Sequence, residues 1–174
     1  MNQFFVSVGS NIDPRQNIAR TLAALLRLSP TLHVSRIVTT QPVGVTGGDF
    51  LNLVVGLTSS DPARQLKEQF NRIEAELGRD RADPARSKKS RPIDLDILFS
   101  LPPEAASVDA QFLPPEAYVR PLLLELLDFL GIRHGQPADL LPDGVEIPLP
   151  GVTVGRQPLT LSQNPDAGRV EIVR

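Results

Sequence analysis

The sequence contains no cysteine and only two histidines, His33 and His134. The lack of cysteine excludes disulfides, thiolate metal sites and a cysteine nucleophile. Nothing in the sequence brings the two histidines together, so neither a histidine-rich zinc centre nor a histidine-based catalytic triad is expected. We assign neither histidine a functional role.

The sequence also has no tryptophan, a single tyrosine and a formal net charge of only −2. A ferredoxin-like nucleic-acid binder needs exposed aromatic residues interleaved with basic ones, so this composition argues against a nucleic-acid partner. The N-terminal residues MNQFFV are not a basic segment leading into a long apolar run, and no stretch reaches the length that spans a bilayer. We therefore expect no membrane partner and a cytoplasmic location.

The length and balance of the chain fit one globular domain spanning residues 1–174, since 41% of the residues are hydrophobic and 22% are charged. The periodic part, about 4–99, predicts the core, and a proline-rich C-terminal extension covers about 100–174. In this extension, residues 121–130 predict an apolar helix that packs on the core. Short strand-like pieces in residues 135–174 add hairpins to the sheet edge or form a dimer contact, so a monomer and a homodimer both stay open.

Strands and helices follow one another in a definite order in the front part of the chain. Branched and aromatic runs predict the strands, and apolar residues at helical spacing after two Asp-Pro pairs predict the helices. The predicted elements are a strand at 4–9, a helix from about 13 to 28, a strand at 32–40, a strand at 50–58, a helix from about 61 to 78 and a strand at 91–99. Asp13 is predicted to cap the first helix and Gly78 to end the second. This order predicts an α+β fold with a ferredoxin-like βαββαβ core, in which both helices cover one face of an antiparallel sheet.

The last of these strands carries two acidic residues, Asp94 and Asp96. Its branched and aromatic residues fall on every second position: Ile93, Leu95, Ile97 and Phe99. Period-two geometry puts those side chains on one face and both carboxylates on the other. A hard divalent cation such as Mg²⁺ relieves the repulsion between two such carboxylates, and it also takes oxygen ligands from substrate phosphates. A solvated face of an edge strand is the common alternative, but the apolar flanks suit a central strand and favour the metal.

Residues 79–91, just before the acidic pair, hold six basic side chains and two acidic ones. The basic residues are Arg79, Arg81, Arg86, Lys88, Lys89 and Arg91. Taken alone, such a run is more often an exposed loop than a phosphate site. Beside two carboxylates that bind a metal, it indicates phosphoryl transfer, because the acidic side chains hold the metal and the basic ones hold phosphate.

Several motifs within residues 4–99 resemble those of 6-hydroxymethyl-7,8-dihydropterin pyrophosphokinases, in the same order and spacing. The motifs are VGSN at 8–11, TQPVG at 40–44, FLN at 50–52, RIE at 72–74, GRDR at 78–81 and RPIDLDIL at 91–98. The resemblance implies a ferredoxin-like fold and transfer of the pyrophosphoryl group of ATP to a pterin alcohol. It also implies Mg²⁺, expected as two ions, and ATP and the pterin as small-molecule partners.

The resemblance further implies roles for individual residues. For catalysis these are Arg81, Arg91, Asp94 and Asp96, with the two aspartates holding Mg²⁺. For ATP binding they are Asn71, Glu74, Arg79, Arg81, Arg91 and Ile97, with Asn71 and Glu74 on the adenosine side. For pterin binding they are Thr40, Pro42, Val43, Phe50 and Asn52, with Phe50 stacking on the ring and Asn52 bonding its edge. The loops at 41–49 and 82–90 are expected to close over both substrates.

Two segments depart from the pattern of that family. Where the family has Trp-Gly-Pro before the arginine at position 91, this chain has Lys88-Lys89-Ser90, and either lysine is a candidate phosphate contact. Residues 112–122 lack the family's histidine and have no arginine at the expected place, and Tyr118 and Arg120 are the candidate replacements. A divergent or inactive pterin- or nucleotide-binding module of the same fold is therefore the alternative to the enzyme.

Overall fold

The computed structural model describes residues 1–44, 47–80, 82–84, 90–166 and 168–173. The elements in chain order are β1 (Asn2–Ser10), α1 (Pro14–Leu28), β2 (Thr31–Val34), β3 (Val38–Thr40), β4 (Phe50–Ser59), α2 (Ala63–Glu76), β5 (Asp94–Leu101), a short 3₁₀ turn (Ala110–Phe112), α3 (Arg120–Phe129), β6 (Ile147–Leu149), β7 (Val152–Val154), β8 (Leu159–Asn164) and β9 (Arg169–Val173). None of the helices in these ranges is both long enough and apolar enough to cross a membrane.

The main sheet is antiparallel, with its strands in the order β5-β1-β4-β2-β8-β9 and with β3 also paired to β4. Its β5-β1-β4-β2 part, together with α1 and α2, is the predicted ferredoxin-like arrangement, so the fold prediction is confirmed. The prediction of a central strand for Asp94 and Asp96 is wrong, because β5 lies at one edge of the sheet. The flanks of β5 are apolar because α2 packs against this strand.

The predicted strand at 32–40 is two shorter strands, β2 and β3, separated by a bend at residues 35–37. Both strands pair with β4, but β4 has one residue fewer between the two pairings than the bend has. Ile37 bonds to the C-terminal extension instead: its N–H donates to the Gly155 carbonyl at 2.9 Å, and its carbonyl accepts from the Val145 N–H at 2.7 Å. The prediction of one continuous strand is therefore wrong, because the C-terminal extension forms hydrogen bonds with the backbone groups of Ile37.

Two apolar clusters lie on opposite faces of the sheet. The cluster under α1 and α2 includes Phe4, Val6, Val8, Leu53, Phe70 and Leu95, and the cluster under α3 includes Phe5, Val54, Phe99, Leu123 and Leu127. The predicted C-terminal apolar helix is thus α3, and it covers the face that α1 and α2 leave open. The ends of β4 and β5 nearest Asn52 and Asp94 border a cavity beside the residues that precede α3.

A β-bulge in β5 shifts the alternation of side chains along the strand, so that residues after the bulge point to the opposite face from the one that the sequence pattern predicts. Val6 of β1 pairs with Ile97 and Phe5 pairs with Phe99, so Leu98 has no partner on β1. The extra residue turns Phe99 to the α3 side, where its ring stacks on Phe5 with centroids 5.0 Å apart. The prediction that Phe99 shares a face with Ile97 is therefore wrong, because a β-bulge interrupts the alternation.

The first helix begins where the Asp-Pro pair predicts, but Asp13 does not cap it. Asp13 has left-handed backbone angles (φ 39°), and its side chain makes no capping hydrogen bond. Asn17 supplies a local bond instead, by donating from its side-chain amide to the Ile12 carbonyl at 2.7 Å. Pro14, in the first turn, has no N–H that would need a cap.

The second helix ends as predicted, at Gly78 with φ 96°. The Gly78 N–H donates to the Ala75 carbonyl, and the Arg79 N–H donates to the Glu74 carbonyl, both at 3.0 Å. This pair of bonds is the Schellman motif, which needs a left-handed residue at the position of Gly78. The motif brings Arg79 back beside Glu74, which lies on the same helix.

The C-terminal extension adds strands to the sheet edge, which is one of the two possibilities that the sequence leaves open. β8 and β9 form a hairpin that joins the sheet beside β2, and β6 and β7 form a separate hairpin. Ile147, Val154 and Leu161 from these strands are buried in the cluster under α1 and α2. The extension therefore contributes to the core.

Candidate active site

A row of three paired residues on adjacent strands forms the floor of the candidate site. Gly9 of β1 pairs with Asn52 of β4 on one side and with Asp94 of β5 on the other. Neighbouring strands lie about 4.8 Å apart, so the Asn52 and Asp94 backbones stand roughly 10 Å apart across Gly9. Because Gly9 has no side chain, the floor between the amide and the carboxylate is open.

The cavity above this floor has a volume of about 120 Å³. Its walls include Thr40, Val43, Phe50, Asn52 and Tyr118 on one part, and Arg91, Asp94 and Asp96 on another. Sites for drug-sized ligands usually measure about 300–1,000 Å³. The cavity therefore suits a single ring system with one end beside the carboxylates, rather than a whole nucleotide.

Asn52 is buried at the edge of this cavity, with its side-chain amide held by a neighbouring strand. Its Nδ2 donates to Thr40 Oγ1, which lies on β3. Its Oδ1 faces Gly9, since an ideal Cβ built on Gly9 would lie 2.8 Å from that oxygen. The bond to Thr40 thus orients the Asn52 amide with its oxygen toward the floor of the cavity.

Asp94 is held by two arginines. Arg79 Nη1 donates to Asp94 Oδ1 at 2.7 Å, and Arg91 Nη1 donates to Oδ2 at 2.8 Å. Burial raises the pKa of the Asp94 carboxyl, but the hydrogen bonds and positive charges of the two arginines outweigh burial and hold the pKa below its ordinary value. Asp94 is therefore ionised at neutral pH, as a metal ligand must be.

Glu74 lies beneath this ion pair, and its side chain is fully buried. Its Oε2 accepts from Arg79 Nη1 at 2.9 Å, and its Oε1 accepts from the Leu95 N–H at 3.1 Å. Glu74 and Asp94 together raise the pKa of Arg79, although burial alone would lower it. Glu74 therefore supports Arg79 from below and is not part of the surface of the site.

Asp96 is more exposed than Asp94 and interacts with a different cation. Lys67 of α2 lies with its Nζ 3.3 Å from Asp96 Oδ1, and the same Nζ donates to the Leu95 carbonyl. The side chain of Asp96 is 58% exposed, compared with 20% for Asp94. Asp94 thus pairs with two arginines and Asp96 with a lysine.

Asn11, just after β1, connects the two loops that border the site. Its Nδ2 lies 3.2 Å from both the Gly48 carbonyl and Ser90 Oγ, and its Oδ1 accepts from the Arg91 N–H at 2.6 Å. The Asn11 N–H donates in turn to the Arg91 carbonyl at 3.1 Å. These bonds fix the backbone of Arg91, which lines both the main cavity and a neighbouring one of about 160 Å³.

The chain matches a known protein family over most of its length. The model of the family described as 7,8-dihydro-6-hydroxymethylpterin-pyrophosphokinase (HPPK) matches residues 5–127. The chain belongs to the HPPK family. The match ends inside α3, so the elements from β6 to β9 lie outside it.

Two curated relatives carry the name 2-amino-4-hydroxy-6-hydroxymethyldihydropteridine pyrophosphokinase. The relative from Porphyromonas gingivalis is 32% identical over 120 residues, which cover 67% of this chain and 82% of the relative. The relative from Bacillus subtilis is 37% identical over 102 residues, which cover 56% of this chain and 59% of the relative.

The structure brings together most, but not all, of the residues predicted from the resemblance to this family. Thr40, Val43, Phe50, Asn52, Arg91, Asp94 and Asp96 line one cavity, and Arg79 lines the neighbouring one. Pro42, Asn71, Glu74 and Ile97 line neither of these two cavities, and Ile97 packs against the cluster under α1 and α2. Arg81, Lys88 and Lys89 lie outside the described residues.

Of the two candidate replacements in the 112–122 segment of this HPPK family member, only Tyr118 lies at the cavity. Burial and nearby carboxylates, including Asp94 and Asp96, raise the pKa of Tyr118, so its hydroxyl stays protonated at neutral pH. Arg120 instead donates to the Pro114 carbonyl at 3.3 Å and to Gln136 Oε1 at 2.8 Å.

Gly9 lines the cavity and Lys67 contacts Asp96, but neither residue is predicted from the sequence to have a role there. A glycine opposite Asn52 can be recognised only after the pairing of β1 with β4 is known. Lys67 belongs to the polar face of an amphipathic helix, and nothing in the sequence shows that this helix borders β5. Both residues can be recognised only from contacts in the folded protein.

The acidic pair of this HPPK family member fits a hard cation. Among the residues that the structure describes, no three histidine, aspartate or glutamate side chains form a metal-binding group. Asp94 and Asp96 provide two carboxylates beside a cavity and would hold a hard divalent cation, which prefers oxygen ligands.

Proposed function

We propose that this chain transfers the pyrophosphoryl group of ATP to the hydroxymethyl group of 6-hydroxymethyl-7,8-dihydropterin, giving AMP and the pterin pyrophosphate in folate biosynthesis. The observation that carries the proposal is the paired row Asn52-Gly9-Asp94, which places a floor the size of a ring between an amide and a carboxylate. Membership of the HPPK family supports the same reaction. We further propose a cytoplasmic location for this activity.

The pterin ring is proposed to lie over Gly9 with its polar edge toward Asn52. A side-chain amide carries both hydrogen-bond donors and an acceptor, which complements the mixed donors and acceptors of a pterin edge. Phe50 and Tyr118 both line this cavity and offer aromatic surface to the ring. Val43 and Thr40 complete the wall, and the pterin hydroxymethyl group then points toward Asp94 and Asp96.

Asp94 and Asp96 are proposed to hold Mg²⁺, expected as two ions. When bound, the metal neutralises phosphate charge and favours in-line displacement. Arg79 and Arg91 carry guanidinium donors, which suit phosphate oxygens. Their hydrogen bonds to Asp94 hold both side chains beside the site. Arg91 borders both cavities and is proposed to bind the triphosphate between them.

Glu74 is proposed to act through Arg79 rather than by contact with adenosine, because its side chain is fully buried. The buried carboxylate holds the guanidinium in place from below, so Arg79 keeps its position when a phosphate replaces Asp94 as its partner. The ATP contacts of Asn71, Arg81 and Ile97 stay predictions from the resemblance.

The test measures AMP release from ATP with Mg²⁺, with and without 6-hydroxymethyl-7,8-dihydropterin. We expect AMP formation to require the pterin. Asp96→Asn should lower the rate by more than about 100-fold, because losses around a metal site reach that size even without removal of a ligand. Asp139→Asn removes the same charge from an exposed position in the extension and should leave the rate unchanged.

Two results would contradict the proposal. Tight binding of the pterin without any AMP would indicate the alternative, a binding module that has lost catalysis. AMP release that ignores the pterin would show that the acceptor is something else.

A further inference from the structure

Leu95 lies between Asp94 and Asp96 on an edge strand, and side chains of α2 satisfy its outward backbone groups. The Leu95 N–H donates to Glu74 Oε1 at 3.1 Å, and its carbonyl accepts from Lys67 Nζ. Glu74 and Lys67 are seven residues apart, which is two turns of one helix face. These two side chains bond the edge of β5 where a neighbouring strand would otherwise pair.

Lys67 also contacts the acidic pair directly, because its Nζ is 3.3 Å from Asp96 Oδ1. The lysine comes from the helix side of the sheet, whereas Asp96 lines the cavity on the other side, so the long side chain passes around the free edge of β5. Lys67 is 34% exposed and Asp96 58% exposed, so an ion from solvent can reach this pair. Among the described residues, Lys67 is the cation within ion-pair distance of Asp96.

We propose that Lys67 is the counterion of Asp96 when no nucleotide is bound, and that it sets the affinity of the acidic pair for a divalent cation. The proposal rests on the proposed function in one respect, the assignment of the metal to Asp94 and Asp96. A divalent ion on Asp96 must displace the ammonium group and then lies close to its charge. The bond to the Leu95 carbonyl keeps Lys67 nearby, so the repulsion persists after displacement.

The size of the effect follows from Coulomb's law. One unit charge about 5 Å from a divalent ion in surroundings close to water costs enough to weaken binding roughly tenfold. The positive charge of Lys67 therefore discourages metal binding by the free protein. Its charge becomes favourable only when the anionic phosphates of a nucleotide arrive with the metal.

The test is titration of the folded, nucleotide-free protein with Mn²⁺, a paramagnetic ion that prefers oxygen ligands as Mg²⁺ does, followed by electron spin resonance of the free ion. Lys67→Gln keeps an N–H donor for the Leu95 carbonyl but removes the charge, and it should tighten Mn²⁺ binding about tenfold. Lys67→Arg keeps the charge and should stay within about twofold of the wild type. Lys67→Met is a second neutral variant and should behave like Lys67→Gln.

Arg64→Met is the matched control, because it removes a positive charge from the same helix at a position that is 92% exposed and that lies 3.9 Å from Glu68. This control should not change Mn²⁺ binding, which separates a local effect of Lys67 from a change in net charge. Asp96→Asn should weaken Mn²⁺ binding at least tenfold and so tests the site itself.

The outcomes distinguish the inference from the proposed function. If Asp96→Asn weakens Mn²⁺ binding but both neutral Lys67 variants bind Mn²⁺ as the wild type does or more weakly, the role of Lys67 is wrong and the metal site stands. If Asp96→Asn has no effect, the metal assignment fails, and the inference about Lys67 fails with it. Tighter binding by Lys67→Arg would also overturn the inference, since that variant retains the charge.

Discussion

Gly9 and Asn52 face each other across paired strands, and a Cβ on Gly9 would lie 2.8 Å from Asn52 Oδ1. That distance is shorter than the van der Waals contact of carbon and oxygen, so Gly9→Ala must displace the buried amide. We expect a KM for the pterin raised roughly tenfold or more, because a displaced buried hydrogen-bonding group costs about 1–3 kcal/mol. Steady-state kinetics with the pterin varied at saturating ATP measure this effect.

The control for Gly9→Ala is Gly48→Ala. A Cβ on Gly48 meets no described atom within 4 Å, and Gly48 is not a position of positive φ. Gly48→Ala should therefore leave the KM for the pterin near its wild-type value. Equal effects of the two alanines would show that the floor of the cavity is not where the pterin lies.

Thr40 fixes the orientation of the Asn52 amide, so Thr40→Val should weaken pterin binding without direct contact with the reacting groups. The valine keeps the shape of threonine but removes the oxygen that accepts from Asn52 Nδ2. Loss of one hydrogen bond of about 1 kcal/mol predicts a KM for the pterin raised roughly fivefold, with kcat little changed. Thr39→Val, one residue earlier on β3 and exposed, should have no effect.

The ion pairs of Asp94 predict a stability that depends on pH. Since its folded-state pKa lies below the ordinary value, Asp94 stabilises the fold above the pKa of an unfolded aspartate, about 3.9, and that stabilisation is lost as the pH falls through the folded-state pKa. Asp94→Asn should lower the free energy of unfolding by roughly 1.5–3 kcal/mol at pH 7. Urea unfolding from pH 7 down to pH 3 should show this difference shrinking below about pH 4.

Asp96→Asn provides the comparison for that stability series. Asp96 is 58% exposed and pairs with a lysine at the surface, so its loss should cost less than about 1 kcal/mol at any pH. A cost for Asp94→Asn that does not vary between pH 7 and pH 3 would contradict the assigned ion pairs.

Glu74→Ala should be the most destabilising of the substitutions considered, because it removes a fully buried carboxylate from both Arg79 and the Leu95 N–H. Breaking a buried ion pair by removal of one partner costs about 3–5 kcal/mol. Glu76→Ala, on the exposed side of the same helix, should cost less than about 0.5 kcal/mol in the same urea titration. A loss of ATP affinity in Glu74→Ala without a loss of stability would instead support the prediction that Glu74 contacts adenosine directly.

Much of the fold follows from local patterns in the chain. The Asp-Pro pairs mark the starts of α1 and α2, Gly78 marks the end of α2, and alternation along residues 93–97 turns Asp94 and Asp96 to the face away from α1 and α2. Each of these features depends on residues within a turn or two, so the sequence alone is sufficient to predict them.

The features that escaped prediction depend on contacts between distant segments. The bulge at Leu98 comes from the register of β5 with β1, and the bonds of Ile37 to Val145 and Gly155 separate β2 from β3. Burial of Glu74 follows from the approach of α2 to the edge of β5, and the same approach places Lys67 on Asp96. Propensity and periodicity carry no information about which neighbour an element will meet.

The bonds of Ile37 to Val145 and Gly155 mean that the region shared with relatives and the smallest stable fragment have different limits. A chain shortened to residues 1–127 would leave both backbone groups of Ile37 without these partners, three residues ahead of Thr40. It would also uncover apolar core surface now covered by Ile147, Val154 and Leu161. Any minimal version of this enzyme must therefore run at least to the end of β8, well past the point where family likeness stops.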